Sequence, residues 1–133
     1  MSISCSNVEQ TNPKGIEQFN GNSYVSTEAF DLTSIQGSSA DYLWISVKDG
    51  KAAMTTDTDN TTVPTIADTQ YFSVTGGDTG YIFSLPDSKG TANSVVGVLY
   101  FGFDGSIVKV RFMKNTDDIE GVMLDKNITC NKK

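Results

Sequence analysis

A chain of 133 residues with a net charge of −6 has room for one domain with its own core, and its acidity repels a phosphate backbone, which argues against nucleic-acid binding. The basic residues are scattered and include a single arginine, Arg111, so there is no concentrated grip on anionic lipid. No apolar run approaches the roughly 18 residues a membrane-spanning helix needs, and 29 serines and threonines against four glutamates, with 7 Phe and 5 Tyr, favour strands over helices.

Residues 1–18 are polar and contain Asn12-Pro13-Lys14-Gly15, the composition of a flexible tether. A single β domain is expected over 19–130. Its first strand spans Phe19 to Thr27. Ala29 to Gln36 reads as a short helical turn or an irregular strand. Asp41 to Val47 alternates cleanly, with Leu43, Ile45 and Val47 on one face and Tyr42, Trp44 and Ser46 on the other. Asp49-Gly50 marks a tight hairpin, because that pair tolerates the positive φ angles such turns demand. Ala52 to Thr56 is the return strand, and Asp57 to Pro64 is a polar loop.

Gln70 to Thr75 and Gly80 to Leu85 read as partners joined by a Gly76-Gly77-Asp78 turn. Asn93 to Phe103 is the longest apolar stretch, and its β-branched and aromatic content marks it as a strand, with Gly97 and Gly102 signalling a bend or bulge. Asp104-Gly105 is a second hairpin signal. Ser106 to Lys114 alternates Val108, Val110 and Phe112 against Lys109 and Arg111. After a turn over Asn115 to Asp118, Ile119 to Leu124 is expected as the last strand. The pattern is all-β: an antiparallel meander of seven or eight strands, forming an up-and-down barrel or a curled sandwich.

The chemistry available is limited. Without histidine there is no Ser-His-Asp or Cys-His arrangement and no Cys/His zinc site. No phosphate-binding glycine loop enters a helix. Asp57-Thr58-Asp59-Asn60 resembles the opening of a calcium loop, yet Thr62 stands where an EF-hand requires Gly and Asp68 where it requires Glu, which leaves a solvated loop. Paired carboxylates for glycoside hydrolysis have no distinguishing spacing. Neither catalysis nor a cofactor is expected. Asn60-Thr61-Thr62 and Asn127-Ile128-Thr129 are glycosylation sequons, relevant only to a eukaryotic source. The aromatic strand residues Tyr42, Trp44, Tyr100 and Phe101 either pack the core or line a cavity or binding surface.

Cys5 and Cys130 lie near opposite ends and have three readings. A disulfide between them would close a long loop and imply an oxidising compartment. A frayed terminus requires no pairing. In the third reading, Ser2-Ile3-Ser4-Cys5-Ser6 resembles the end of a bacterial lipoprotein signal, which implies lipidation of Cys5, although Ser2 replaces the usual aliphatic residue. The opening Phe19-Asn20-Gly21-Asn22-Ser23-Tyr24, followed by a meander, resembles the first strand of lipocalin-like barrels. Tyr24 stands one residue too far from Gly21 and replaces Trp. That resemblance implies an aromatic plug at one barrel end with Arg111 packed on it. These readings imply a non-catalytic binding module outside the cytoplasm, lipid-anchored, periplasmic or secreted. It would hold a small apolar ligand in a barrel, with Tyr42, Trp44, Tyr100, Phe101 and Arg111 as contacts. The alternative is a surface interaction protein, an adhesin or inhibitor, that uses its loops or sheet face.

Overall fold

The computed structural model describes residues 15–32, 40–87 and 89–133. Eight antiparallel strands form one sheet: β1 (Ser23–Phe30), β2 (Asp41–Lys48), β3 (Lys51–Asp57), β4 (Thr75–Gly77), β5 (Gly80–Leu85), β6 (Val95–Phe101), β7 (Ile107–Asn115) and β8 (Ile128–Lys132). The spatial order is β3-β2-β1-β8-β7-β6-β5-β4, so the last strand lies beside the first. The sheet is an antiparallel meander curled strongly into a half-barrel. Its two outer edges meet at one antiparallel bridge, where Ala52 N donates to Phe72 O (3.0 Å) and Phe72 N donates to Ala52 O (2.7 Å).

Alternation decides what lies inside. Leu43, Ile45 and Val47 of β2, Tyr81 and Phe83 of β5, Leu99 and Phe101 of β6, and Val108, Val110 and Phe112 of β7 are all buried in one core. The β2–β3 hairpin turns at Asp49 (φ 51°) and Gly50 (φ 74°), as the Asp-Gly pair leads one to expect. The break announced by glycine in the long apolar strand falls between Val96 and Gly97, where the β6–β7 register shifts. A Cβ at Gly97 would stand 2.6 Å from the Arg111 carbonyl and 2.4 Å from the Phe83 ring, so only glycine lets that aromatic ring reach the backbone.

Several expected elements differ. The chain before β1 makes a 3-10 turn, Ile16–Phe19, which buries Ile16 and Phe19 in the core, so packing begins inside the stretch that reads as a tether. The rest of that stretch, and much of Ala29 to Gln36, lies outside the described residues. The strand expected over Gln70 to Thr75 is reduced to the end of a 3-10 turn (Asp68–Gln70), the lone bridge at Phe72, and the start of β4. Ile119 to Leu124 is not a strand. A single helical turn, α1 (Asp118–Gly121), stands there because the Asp117 side chain accepts from Ile119 N at 3.1 Å and caps it. The closing strand is β8, whose Ile128 and Cys130 face inward between β1 and β7.

One barrel end is sealed by aromatics. Phe19 stacks on Phe101 with ring centroids 4.1 Å apart, and Tyr24 and Tyr81 meet Phe101 edge-on at 5.6 and 5.8 Å. The Tyr24 hydroxyl donates to Gly105 O (2.6 Å) and the Tyr81 hydroxyl to Asp78 O (2.7 Å), so the buried rings keep their polar tips satisfied. Burial pushes both phenols above their ordinary pKa. At the β1–β2 irregularity between Val25 and Ala29, the buried Ser26 hydroxyl donates to Glu28 O and accepts from Leu43 N, filling the gap in the ladder.

Candidate functional site

Past the Ala52–Phe72 bridge, β3 lies opposite Thr69 to Tyr71 with no ladder among the described residues, which leaves a slot at this edge of the sheet. Beyond the Ala52–Phe72 bridge the two edges diverge, and β4 is only 3 residues long, too short to refill the gap. Two adjoining hollows, of about 190 and 360 Å³, occupy this slot and share Met54 and Glu120 as walls. Met54, Thr55 and Thr56 of β3 form one side, and Tyr71, Phe72, Leu85 and Pro86 the other. Leu43 and Met123 lie at the inner side, and Ile119 and Glu120 of α1 roof it. Two methionines and two aromatic rings make an apolar, adaptable lining. Among the described residues, no lysine or arginine lines either hollow.

Glu120 is the ionisable group of this slot. Burial, then a hydrogen bond and charge repulsion from Asp117, push its carboxyl up to about 7. Near neutral pH it therefore exchanges between a proton donor and an anion. Sequence reading missed this residue. The signal was present: Asp117 followed three residues later by Glu120, with Ile119, Val122 and Met123 at helical spacing.

A third hollow, of about 540 Å³, lies on the outer face of β5–β7 and is lined by Gly80, Ile82, Val96, Val98, Tyr100 and Met113. Ile82, Tyr100 and Met113 are 54%, 53% and 58% exposed, a concentration of large apolar side chains turned to solvent. Met113 reaches this face by the alternation of β7, whose Val108, Val110 and Phe112 point inward.

The five aromatic and basic residues expected as ligand contacts do not converge. Tyr100 lies on the outer groove, whereas Phe101, the next residue, is buried against Phe19. Neighbours in a strand face opposite sides, so they cannot serve one pocket. Tyr42 is half-buried on the outer side of β2, between Ala29 and Asp57 in register. Trp44 is fully buried, and its Nε1 donates to Asp59 O at 2.8 Å in the loop after β3. That loop is braced by Asp59, whose carboxylate accepts from Thr61 N, Thr61 Oγ1 and Thr62 N and is held below its ordinary pKa by them.

Arg111 does not pack on Tyr24. Odd-numbered β7 positions face outward, so its guanidinium bonds Asn127 Oδ1 (3.3 Å) and pairs with Asp125 (3.8 Å) at the surface. Cys130 carries a free thiol, buried in the core, and burial pushes its pKa up to about 12. Cys5 lies outside the described residues. No protein-family model, curated protein or solved structure matches this chain.

Proposed function

We propose that this chain is a non-catalytic binding module that works outside the cytoplasm and takes a small apolar ligand at the slot between β3 and β5. The observation that carries the reading is the apolar opening itself, walled by Met54, Tyr71, Phe72, Leu85 and Met123 where the barrel edges part. A hollow of a few hundred Å³ with apolar walls and a few polar groups is the ordinary form of a small-molecule site. The ligand sits at the side of the barrel because the interior is filled by the core, with Phe101 stacked on Phe19 and Phe83 against Phe112. The reading keeps the lipocalin-like character of a curled antiparallel sheet that presents a ligand. It adds a lipid on Cys5 as the tether to a bacterial membrane, the alternative being a periplasmic or secreted form.

Titration with the neutral apolar dye N-phenyl-1-naphthylamine tests this. Saturable one-site binding is expected in the wild type, weakened about tenfold in Met54→Gln because a buried amide lacks a partner. Absence of saturable binding, or binding untouched by Met54→Gln, would remove the slot as the site.

A second reading rests on the outer groove. Ile82, Tyr100 and Met113 make an apolar face of the kind a protein partner covers. A photo-crosslinking residue at position 100 should then capture one defined protein in the native host, and the same probe at Thr61 should capture none. Equal labelling from both positions would count against it.

A further inference from the structure

We infer that the ligand of the slot is a cationic amphiphile, an ammonium group on an apolar chain, with Glu120 as the counter-charge. The inference rests on the slot being the binding site and deepens that reading.

The argument is one of complementarity. The slot walls combine apolar Leu43, Met54, Phe72, Leu85 and Met123 with neutral polar Thr55, Thr56, Thr69 and Gln70, and Glu120 of α1 is the acidic side chain among the described lining. Every charged side chain on α1 and its cap is acidic: Asp117, Asp118 and Glu120. From the facing segments, β3 contributes Met54, Thr55 and Thr56, and Thr69 to Phe72 contributes one titratable group, the Tyr71 phenol. Lys48 lies over the Tyr71 ring, 6.0 Å from its centroid, but its ammonium is held by Asp68 at 2.7 Å. Among the described residues, the lining holds no lysine or arginine to pair with Glu120.

A half-buried carboxyl among apolar walls is costly as an anion, and Asp117 beside it raises that cost. An ammonium entering the slot offsets it: the protonated Glu120 carboxyl releases its proton to solvent, and the cation pairs with the carboxylate left behind. The rings of Tyr71 and Phe72 add faces that attract a cation, and the methionine thioethers adapt to an alkyl chain of variable shape. An anionic amphiphile has the opposite relation to the same groups. A fatty-acid carboxylate is repelled by the ionised Glu120 that favours the amine, so above about pH 7 it binds more weakly than the amine.

The test compares dodecylammonium, dodecanol and dodecanoate, each below its micellar concentration, by the methyl NMR signals of Met54 and Met123. Dodecylammonium should shift both signals saturably at pH 8, and bind about tenfold or more tighter than dodecanol, since a charge-assisted contact adds to the same apolar burial. Its advantage should shrink about tenfold by pH 5.5 and vanish in Glu120→Gln, while dodecanol binds wild type and Glu120→Gln alike. If dodecanol and dodecylammonium bind equally, or Glu120→Gln leaves the preference intact, the cation inference falls and the slot stands. If none of the three moves the methionine methyls, both fall.

Discussion

At the scale of single residues, consecutive positions have opposite roles. Phe101 is 5% exposed and joins Phe19, Tyr24 and Tyr81 in an aromatic plug, whereas Tyr100 is 53% exposed on the outer groove. Phe101→Ala should therefore destabilise by about 3–5 kcal/mol through lost burial and the cavity left behind, and Tyr100→Ala by no more than about 0.5 kcal/mol. Urea denaturation followed by the fluorescence of Trp44 measures both. Equal losses would mean that the assignment of faces in β6 is wrong. Sequence alternation made the division visible in principle. What it did not supply was which side of β6 is inside, because Val96, Val98 and Tyr100 are as apolar as Val95, Leu99 and Phe101.

Among the elements, α1 is four residues long, yet it roofs the slot and carries Glu120. The folded-state carboxyl titrates near 7 against 4.5 for an ordinary glutamate, so the native protein holds a proton that the unfolded chain releases. Protons bound preferentially by the native state make stability fall as pH rises. The wild type should thus lose stability relative to Glu120→Gln between about pH 4.5 and about pH 7, and the difference should be flat above that. Urea midpoints for the pair at pH 4.5, 6 and 8 provide the measurement. A difference independent of pH would show that Glu120 is solvated. The helical turn was misread as a strand because Ile119 to Leu124 is short and apolar at several positions. Its cap depends on local hydrogen bonds: Asn115 Oδ1 accepting from Asp117 N, and Asp117 accepting from Ile119 N. Asp49-Gly50 is legible for a different local reason, the positive φ angles its two residues tolerate.

Across the whole molecule, the curled sheet has one seam. Seven neighbouring strand pairs are laddered, and β3 meets the segment before β4 at the single Ala52–Phe72 bridge. Backbone groups along the seam side of β3 past Ala52 therefore lack the protection of a ladder. Native-state hydrogen exchange should reach those amides of β3 well before the amides of β6 and β7, whose ladder runs from Val95–Asn115 to Phe101–Val108. Uniform protection around the sheet would mean that the seam is closed in solution and that the slot is not open to a ligand. The seam also accounts for the lateral place of the slot, since aromatic side chains fill the axis and one end.

The amino-acid order alone determined that this chain is all-β and antiparallel, and fixed most of its strands. Period-two burial and Asp-Gly turns act over a few residues and are written directly in the chain. Only the tertiary structure decided that β8 lies beside β1, that the edges of β3 and β4 part, and that Arg111 faces solvent instead of the Tyr24 plug. Those outcomes depend on sheet curvature and on pairing between segments distant in sequence, such as Tyr24 with Lys132. A slot built by the failure of two strands to pair has no local signature, because it is made of what β3 and β4 do not reach.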